Sequence, residues 1–193
     1  SHDGTSDDEK GDLIFKTNDG SDGASPTERM RIDSAGTTSI TVTGNEDTLN
    51  LISTDADATK GPILNLYRNS ASPADSDATG RINFQGENSA GETITYSQVF
   101  SSILDVTDGT EDGRYKIGTM LAGDFGSRMD MTDTETVFND DSKDLDFRVE
   151  SNGNANMLFV DGGNDKVGIG TNSPQFDLHV HQADSTNSLI QFT

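Results

Sequence analysis

The sequence predicts an all-β fold made of repeated short β-meander units. No stretch keeps apolar residues at helical spacing for three turns, and Gly, Asn, Asp, Ser or Thr interrupts the chain every few residues. Short segments alternate between polar and apolar residues instead, as in residues 29–32 (RMRI) and 81–84 (RINF). Such alternation gives a strand one wet face and one dry face. One plan of strand, loop, strand, turn and strand also recurs three times.

The three copies of this plan occupy residues 11–40, 113–138 and 146–169. Each unit is too small to bury its apolar face alone, so stacking and pairing with neighbours are expected. Runs of β-branched and aromatic residues between Gly, Pro, Asn and Asp clusters place the individual strands. The predicted strands are residues 12–17, 29–32, 39–43, 48–53, 63–68, 81–85, 93–104, 114–121, 128–131, 135–138, 145–150, 157–160, 166–169, 176–181 and 188–192.

These elements predict four segments along the chain. Residues 1–44 form an N-terminal β-meander repeat, and residues 45–112 form a small β-domain or wider bead, with breaks rich in Gly, Pro, Ser and Asp at 55–62 and 70–80. Residues 113–142 form the second meander repeat. Residues 143–193 form the third repeat and the start of a following unit.

Composition limits what the chain can bury and bind. Hydrophobic residues make up 30% of its 193 residues, and adding the glycines gives roughly 40%, below the ~45–50% of globular domains. A chain with so little apolar surface can compensate by burying it against copies of itself. The net charge of -21 repels phosphate backbones, so nucleic acid is not an expected partner. No apolar run is long enough for membrane insertion, and cysteine is absent.

Two elements carry a family resemblance. Residues 28–36 (ERMRIDSAG) are similar to the recurrent ERMRIDSSG element of tail-fibre proteins of marine bacteriophages, especially cyanophages. Residues 166–174 (KVGIGTNSP), followed by LHV at 178–180, resemble the VGIGTTSP and LHV elements of the same proteins. Residues 61–70 (GPILNLYRNS) and 108–113 (DGTEDG) also look like parts of such fibres. Together these elements cover most of the chain.

The resemblance implies repeated β-meander or β-prism units in an elongated, parallel homotrimeric fibre. The implied function is structural: a shaft or spacer of the tail fibre that holds a host-recognition tip and contributes to host attachment. The implied location is the virion, outside the cell. Expected partners are two further copies of the chain, other virion tail proteins, and a glycan or protein of the host surface.

Six apolar residues are predicted to point toward the trimer axis or an intersubunit face. Met and Ile on one strand face suit a narrow axial core, because unbranched Met fills irregular gaps. The opposing hypothesis is a single-chain sandwich, in which these residues pack only within their own chain. The predicted intersubunit residues are Met30, Ile32, Met129, Met131, Leu158 and Val160.

His179 and His181 are the candidate metal ligands, because alternate residues of a strand project to the same face. In a parallel trimer, three such pairs would place six nitrogens around the axis, which suits a transition metal. The alternative is that both are ordinary histidines. The acidic loops at 55–57, 105–112 and 161–165 suggest Ca²⁺ binding, because carboxylates and loop carbonyls are its preferred ligands. None of them has EF-hand spacing, and the alternative is that their Asp and Gly residues simply form turns.

No catalytic residue is predicted, and the chain is not expected to be an enzyme or to need a cofactor beyond a bound metal ion. The adjacent carboxylates Glu111 and Asp112 point apart in a turn, and no nucleophile motif, HExxH or P-loop occurs. Three other interpretations stay open, one of which is a capsid-decorating fibre that differs only in its attachment site. The other two have different functions. One is a receptor-binding or glycan-cleaving fibre-tip module, and the other is a repeat of a Ca²⁺-dependent cell-surface adhesin.

Overall fold

The computed structural model describes residues 11–18, 25–59 and 61–181. These residues form twelve β-strands and no helix, so the predicted all-β class is confirmed for this part of the chain. It contains no helix long and apolar enough to cross a membrane. The predicted strand at 188–192 lies outside the described residues. The chain divides into two units, Ser1–Asn65 and Leu66–Thr193.

The first unit contains one antiparallel meander in the strand order expected for the first repeat. Its strands are β1 (Leu13–Thr17), β2 (Thr27–Ile32) and β3 (Thr38–Ile40). The turn between β2 and β3 is held by Asp33, whose Oδ1 accepts hydrogen bonds from the backbone N–H groups of Ala35 and Thr37, both at 2.9 Å. Gly36 closes this turn with a φ of 87°, a conformation that glycine adopts without steric cost.

The second unit begins with a five-stranded antiparallel meander whose strands pair in chain order. The sheet contains strands from the predicted bead at 45–112 and from the second repeat at 113–142, so pairing continues through residue 112. Three of its strands are 10 to 13 residues long. The strands are β4 (Ala78–Glu87), β5 (Thr93–Asp105), β6 (Asp112–Leu121), β7 (Asp124–Met131) and β8 (Thr136–Phe138).

A four-stranded sheet follows in the same unit, in the order β12-β11-β10-β9. Its strands are β9 (Phe147–Val149), β10 (Leu158–Asp161), β11 (Lys166–Ile169) and β12 (Leu178–Val180). The first three form the antiparallel meander expected of the third repeat, whereas β12 pairs with β11 in parallel. Two backbone hydrogen bonds fix the connection: Gly170 N–H donates to Asn156 O at 2.7 Å, and His181 N–H donates to Ile169 O at 2.8 Å.

Very little of this structure is a buried apolar core. Among the described residues, Phe159 on β10 is the one large apolar side chain that is buried. It lies beside Gly168 of β11, its partner in the sheet. Three polar or charged side chains are also buried: Ser102, Ser127 and Asp130.

Two of the predicted strands are not formed in the single chain. Residues 48–53 and 63–68 contain no strand in the structure. The composition of both stretches favours strands, but a strand also needs a partner that completes its backbone hydrogen bonds. Each stretch lacks such a partner within the described part of the chain.

The close approach at Gly168 yields a stability prediction. A Cβ added at this position would lie 2.3 Å from the carbonyl oxygen of Thr171, so Gly168→Ala must displace backbone. We expect a loss of unfolding free energy on the order of 2 kcal/mol or more, measured by urea denaturation. Gly153→Ala is the control, because a Cβ there meets nothing within 4 Å. Equal stability of the two variants would contradict this account of the sheet.

Candidate functional site

The five-stranded sheet has one apolar face, which the pairing register defines. Side chains of directly paired residues lie next to each other on the same face. One row of such residues crosses all five strands, and every member is apolar: Ile82, Val99, Ile117, Met129 and Phe138. Phe84, on the same face of β4 and 55% exposed, extends this surface.

The four-stranded sheet is built in the same way. Its corresponding row consists of Phe147, Val160, Val167 and Leu178, again one residue from each strand. Because side chains alternate along a strand, residues two positions away lie on the same face. These neighbours are also apolar: Val149, Leu158, Ile169 and Val180.

The two apolar rows meet within the second unit. The rings of Phe138 and Phe147 lie 4.8 Å apart between centroids, tilted by 40°. Together the rows form one surface, called here the apolar surface, that reaches from Ile82 to Leu178. Much of it is open: Phe138 is 50% exposed and Leu178 is 60% exposed. A contiguous exposed apolar patch marks an interaction site more often than a free surface.

The sheet of the first unit repeats this design on a smaller scale. Phe15, Met30 and Ile40 form one row across its three strands. Leu13 and Ile32 form a paired row on the same face. Leu13, Phe15 and Ile40 are exposed in the single chain. All three sheets thus leave one apolar face incompletely covered.

The residues predicted from the sequence as intersubunit core all lie on these apolar faces. Met30 and Ile32 belong to the first sheet. Met129 lies in the long row of the second, and Met131 pairs with Tyr115 beside it. Leu158 and Val160 lie on the apolar face of the third sheet. All six are half-buried in the single chain. The prediction from the sequence did not include Leu178 and Val180, which also lie on the apolar face of the third sheet. Their alternation with His179 in the sequence could have indicated this.

The opposite faces contain charged side chains that are paired within the chain, together with some apolar residues such as Phe100 and Phe159. In the first sheet, Arg31 donates hydrogen bonds to Glu28 and to Asp12. These contacts raise the pKa of Arg31 and lower the pKa of Glu28. In the five-stranded sheet, the guanidinium of Arg81 lies 5.1 Å from the ring centroid of Phe100. Arg31 and Arg81 on these faces thus have partners within the chain.

An ion cluster on the polar face of the five-stranded sheet surrounds Asp130. This carboxylate is 2% exposed and accepts hydrogen bonds from Arg114, whose Nε lies 2.8 Å from its Oδ1. The Nζ of Lys116 lies 3.1 Å from Oδ2, and Asp140 lies 3.8 Å from both cations. The hydrogen bonds from Arg114 outweigh desolvation and, with those from Lys116, lower the pKa of Asp130 to about 2. Sequence reasoning missed this cluster, because its members are joined only by the strand register.

The two candidate metal ligands lie on the other face of the third sheet from Leu158 and Val160. His179 pairs with Gly168, which pairs with Phe159, so His179 lies on the face of Phe159. The rings of His179 and His181 are 6.0 Å apart between centroids. The Nδ1 of His179 accepts a hydrogen bond from the backbone N–H of Gln175 at 3.4 Å. Within the described residues, no group of three or more His, Cys, Asp or Glu side chains is placed to hold a metal ion.

The carboxylates of the acidic loops bind their own turns. Asp57 Oδ1 accepts hydrogen bonds from Thr59, at 2.9 Å from the backbone N–H and 2.6 Å from the hydroxyl. Asp105 Oδ1 accepts from the backbone N–H of Thr107 at 2.8 Å. These bonds lower the pKa of Asp57 and of Asp105. Asp161 accepts in the same way from Asn164. These Asp residues thus have the geometry of turn formers.

Comparison with known proteins finds no family model that matches the chain and no curated protein that is similar to it. The sheets themselves combine an incompletely covered apolar surface with opposite faces on which charged residues such as Arg31 and Asp130 form ion pairs.

The lowered pKa of Asp130 predicts a specific acid sensitivity. A carboxylate with a depressed folded-state pKa stabilises the fold above its unfolded pKa of about 3.9 and loses that contribution as pH falls toward the folded value. We expect the protein to lose on the order of 2 kcal/mol of unfolding free energy between about pH 5 and pH 2 through this group. Asp130→Asn should be less stable at neutral pH and should lack this part of the acid dependence.

Urea unfolding followed by circular dichroism at a series of pH values tests this expectation. Asp133→Asn, at an exposed turn position, is the matched control and should keep the acid dependence of the unchanged protein. If Asp130→Asn showed the same pH profile as that control, the ion pairs of Asp130 would not contribute to stability as described.

Proposed function

We propose that this chain is a structural segment of a homotrimeric bacteriophage tail fibre, serving as shaft or spacer. The observation that carries the proposal is the apolar surface, which stays incompletely covered, while Arg114 and Lys116 on the opposite face are paired with Asp130. A surface of this kind is expected where a protein associates with copies of itself. The resemblance of residues 28–36 and 166–174 to tail-fibre elements supports the identity of the assembly.

The elements that carry the resemblance fall on strands of the first and third sheets. Residues 28–36 include most of β2 and the turn after it, and residues 166–174 include β11 and the turn after it. Each of these strands has neighbours on both sides in its sheet. In the proposed fibre, the sheets of three parallel chains turn their apolar faces toward one axis, as in a β-prism. The predicted intersubunit residues then become a shared core.

A single-chain sandwich is the less economical explanation. It requires that the apolar surface be covered by the chain's own residues, yet Phe84, Phe138 and Leu178 remain largely exposed. Fully burying one such side chain contributes about 1.5–3 kcal/mol. Association of three chains would bury the part of each such side chain that is still exposed, in each copy.

The proposed role is mechanical. The segment transmits load and holds a host-recognition tip away from the virion, with other tail proteins and the host surface as its partners. No catalysis, cofactor or nucleic-acid binding is part of this role. Since unfolding would require three chains to separate together, resistance to detergent and heat is expected.

The mass of the native particle tests the assembly. Light scattering is expected to give about 62 kDa, three chains of 20.6 kDa, unchanged by EDTA. A mass of one chain would contradict the fibre proposal. Dissociation in EDTA would instead favour the Ca²⁺-dependent adhesin interpretation.

Substitution at the open end of the apolar surface tests which face associates. Leu178→Asp should be tolerated by the single chain, because this side chain is 60% exposed, but it would place a charge in each apolar interface. We expect at least about a 100-fold weaker association, since burying an unpaired carboxylate costs several kcal/mol. Ser173→Asp, at an exposed turn position, is the matched control and should keep the mass of the unchanged protein. Full association of Leu178→Asp would show that another face is used.

A further inference from the structure

The connection between β3 and β4 is unusual for its length and its lack of internal pairing. Residues 41–77 contain no strand or helix at any position the structure describes, which is all of them except residue 60. Connections longer than about 12–15 residues without secondary structure are uncommon in compact domains and often have a function.

Among the residues that the structure describes, the backbone of most of this connection has no backbone hydrogen-bond partner. On its two sides, Thr41 N–H donates to Arg29 O, and Ser76 N–H donates to Ile103 O. Between them, the described residues 42–59 and 61–73 make no backbone-to-backbone hydrogen bond. Some N–H groups in this region donate to nearby side chains instead, as Asp55 N–H does to the Ser53 hydroxyl and Ser72 N–H to the Ser70 hydroxyl. A polar backbone left in this way remains open to pairing with another strand.

Two short stretches of the connection carry large apolar side chains that are exposed. The first is residues 48–53 (TLNLIS), where Ile52 is 77% exposed, and the second is residues 61–67 (GPILNLY), where Ile63 is 69% exposed. Both contain the triad Leu-Asn-Leu, centred on Asn50 and Asn65. In the second stretch, Leu66 packs over Gly80 of the chain's own sheet, where a Cβ would lie 3.1 Å from its Cδ1.

The charge distribution favours identical copies as the partner. The chain has a net charge of -21, yet neither stretch contains a charged residue. Arg68, which ends the predicted strand at 63–68, lies just beyond the second stretch and is paired with Asp77 at 3.0 Å. Rotational symmetry about a fibre axis brings each residue near its own copies, so a charged stretch would face like charges while a neutral one does not. A second copy of the same stretch therefore fits the geometry and the charge.

We infer that residues 48–53 and 61–67 are strands that form only between copies, each pairing with the same stretch of a neighbouring chain. This inference rests on the proposed self-association, and it specifies which residues form main-chain hydrogen bonds between chains. It also explains why strand-forming sequences carry no strand in the single chain. The apolar surface of the sheets would then supply side-chain packing, and this connection would supply hydrogen bonds between chains.

Cysteine crosslinking tests the inference directly, since the chain contains no cysteine. Asn50→Cys and Asn65→Cys each place one thiol in a proposed strand. Neighbouring strands lie about 4.8 Å apart, within the reach of a disulfide. Mild oxidation of the full chain, followed by denaturing electrophoresis without reductant, should give crosslinked dimers. Asn152→Cys, an exposed asparagine in a turn of the third repeat, is the matched control, and we expect at least about tenfold more crosslinking in the two test variants.

The mass of each reduced variant separates the two proposals. A trimer with crosslinks at both test positions, unchanged by about tenfold dilution, supports the inference. A trimer that crosslinks no better than the control overturns the inference and leaves the fibre proposal standing. A monomer without crosslinks overturns both.

Discussion

The structure depends on one constraint: a β-sheet has two faces, and the side chains of each strand alternate between them. In this chain the alternation is used consistently. Apolar residues collect on one face of each sheet, and charged residues pair on the other, as Arg114 and Lys116 do with Asp130. In the part of the chain that the structure describes, these apolar faces are incompletely covered, and Phe159 is the one large apolar side chain that is buried. Each sheet therefore keeps one apolar face that is incompletely covered.

The same constraint organises the charge. Acidic residues outnumber basic ones by 34 to 13, so repulsion between copies would oppose association if charge were spread evenly. Instead, the rows of the apolar surface are uncharged from Ile82 to Leu178, and cations such as Arg31 and Arg114 are paired with carboxylates on the polar faces. Other acidic residues lie in loops or at strand ends, where Asp57 and Asp105 accept hydrogen bonds from the turns that follow them. A highly charged chain can thus present neutral surfaces to its copies while its exterior stays solvated.

Alternation is also what made part of the fold predictable. The pattern RMRI at 29–32 predicts β2 and places Met30 and Ile32 on one face, and both are found there. The turn at Asp33 could be predicted too, because Asp and Gly specify it locally. The long pairing of β5 with β6 across residue 112, the parallel pairing of β11 with β12 and the cluster around Asp130 could not. Each depends on which strands meet and in what register, and those choices are made by contacts distant in sequence.

The strand at 178–180 bears on two hypotheses about the trimer axis: an apolar core, and a metal site formed by His179 and His181. The sequence alone allows both at one axis, but the strand register does not. Leu178 and Val180 point to one face, and His179 and His181 point to the other. The face of Leu178 is the one that contains Leu158 and Val160, so a single axis cannot be lined both by these apolar residues and by the two histidines. The apolar face has members from all four strands, whereas the histidines come from one strand end, and His179 already accepts a hydrogen bond from Gln175. If the apolar face is turned toward an axis, any metal bound by His179 and His181 would lie outside it and would not hold the chains together at that axis. An assembly packed through Leu158 and Val160 is therefore expected to be stable in EDTA, because no metal at its axis holds the chains together.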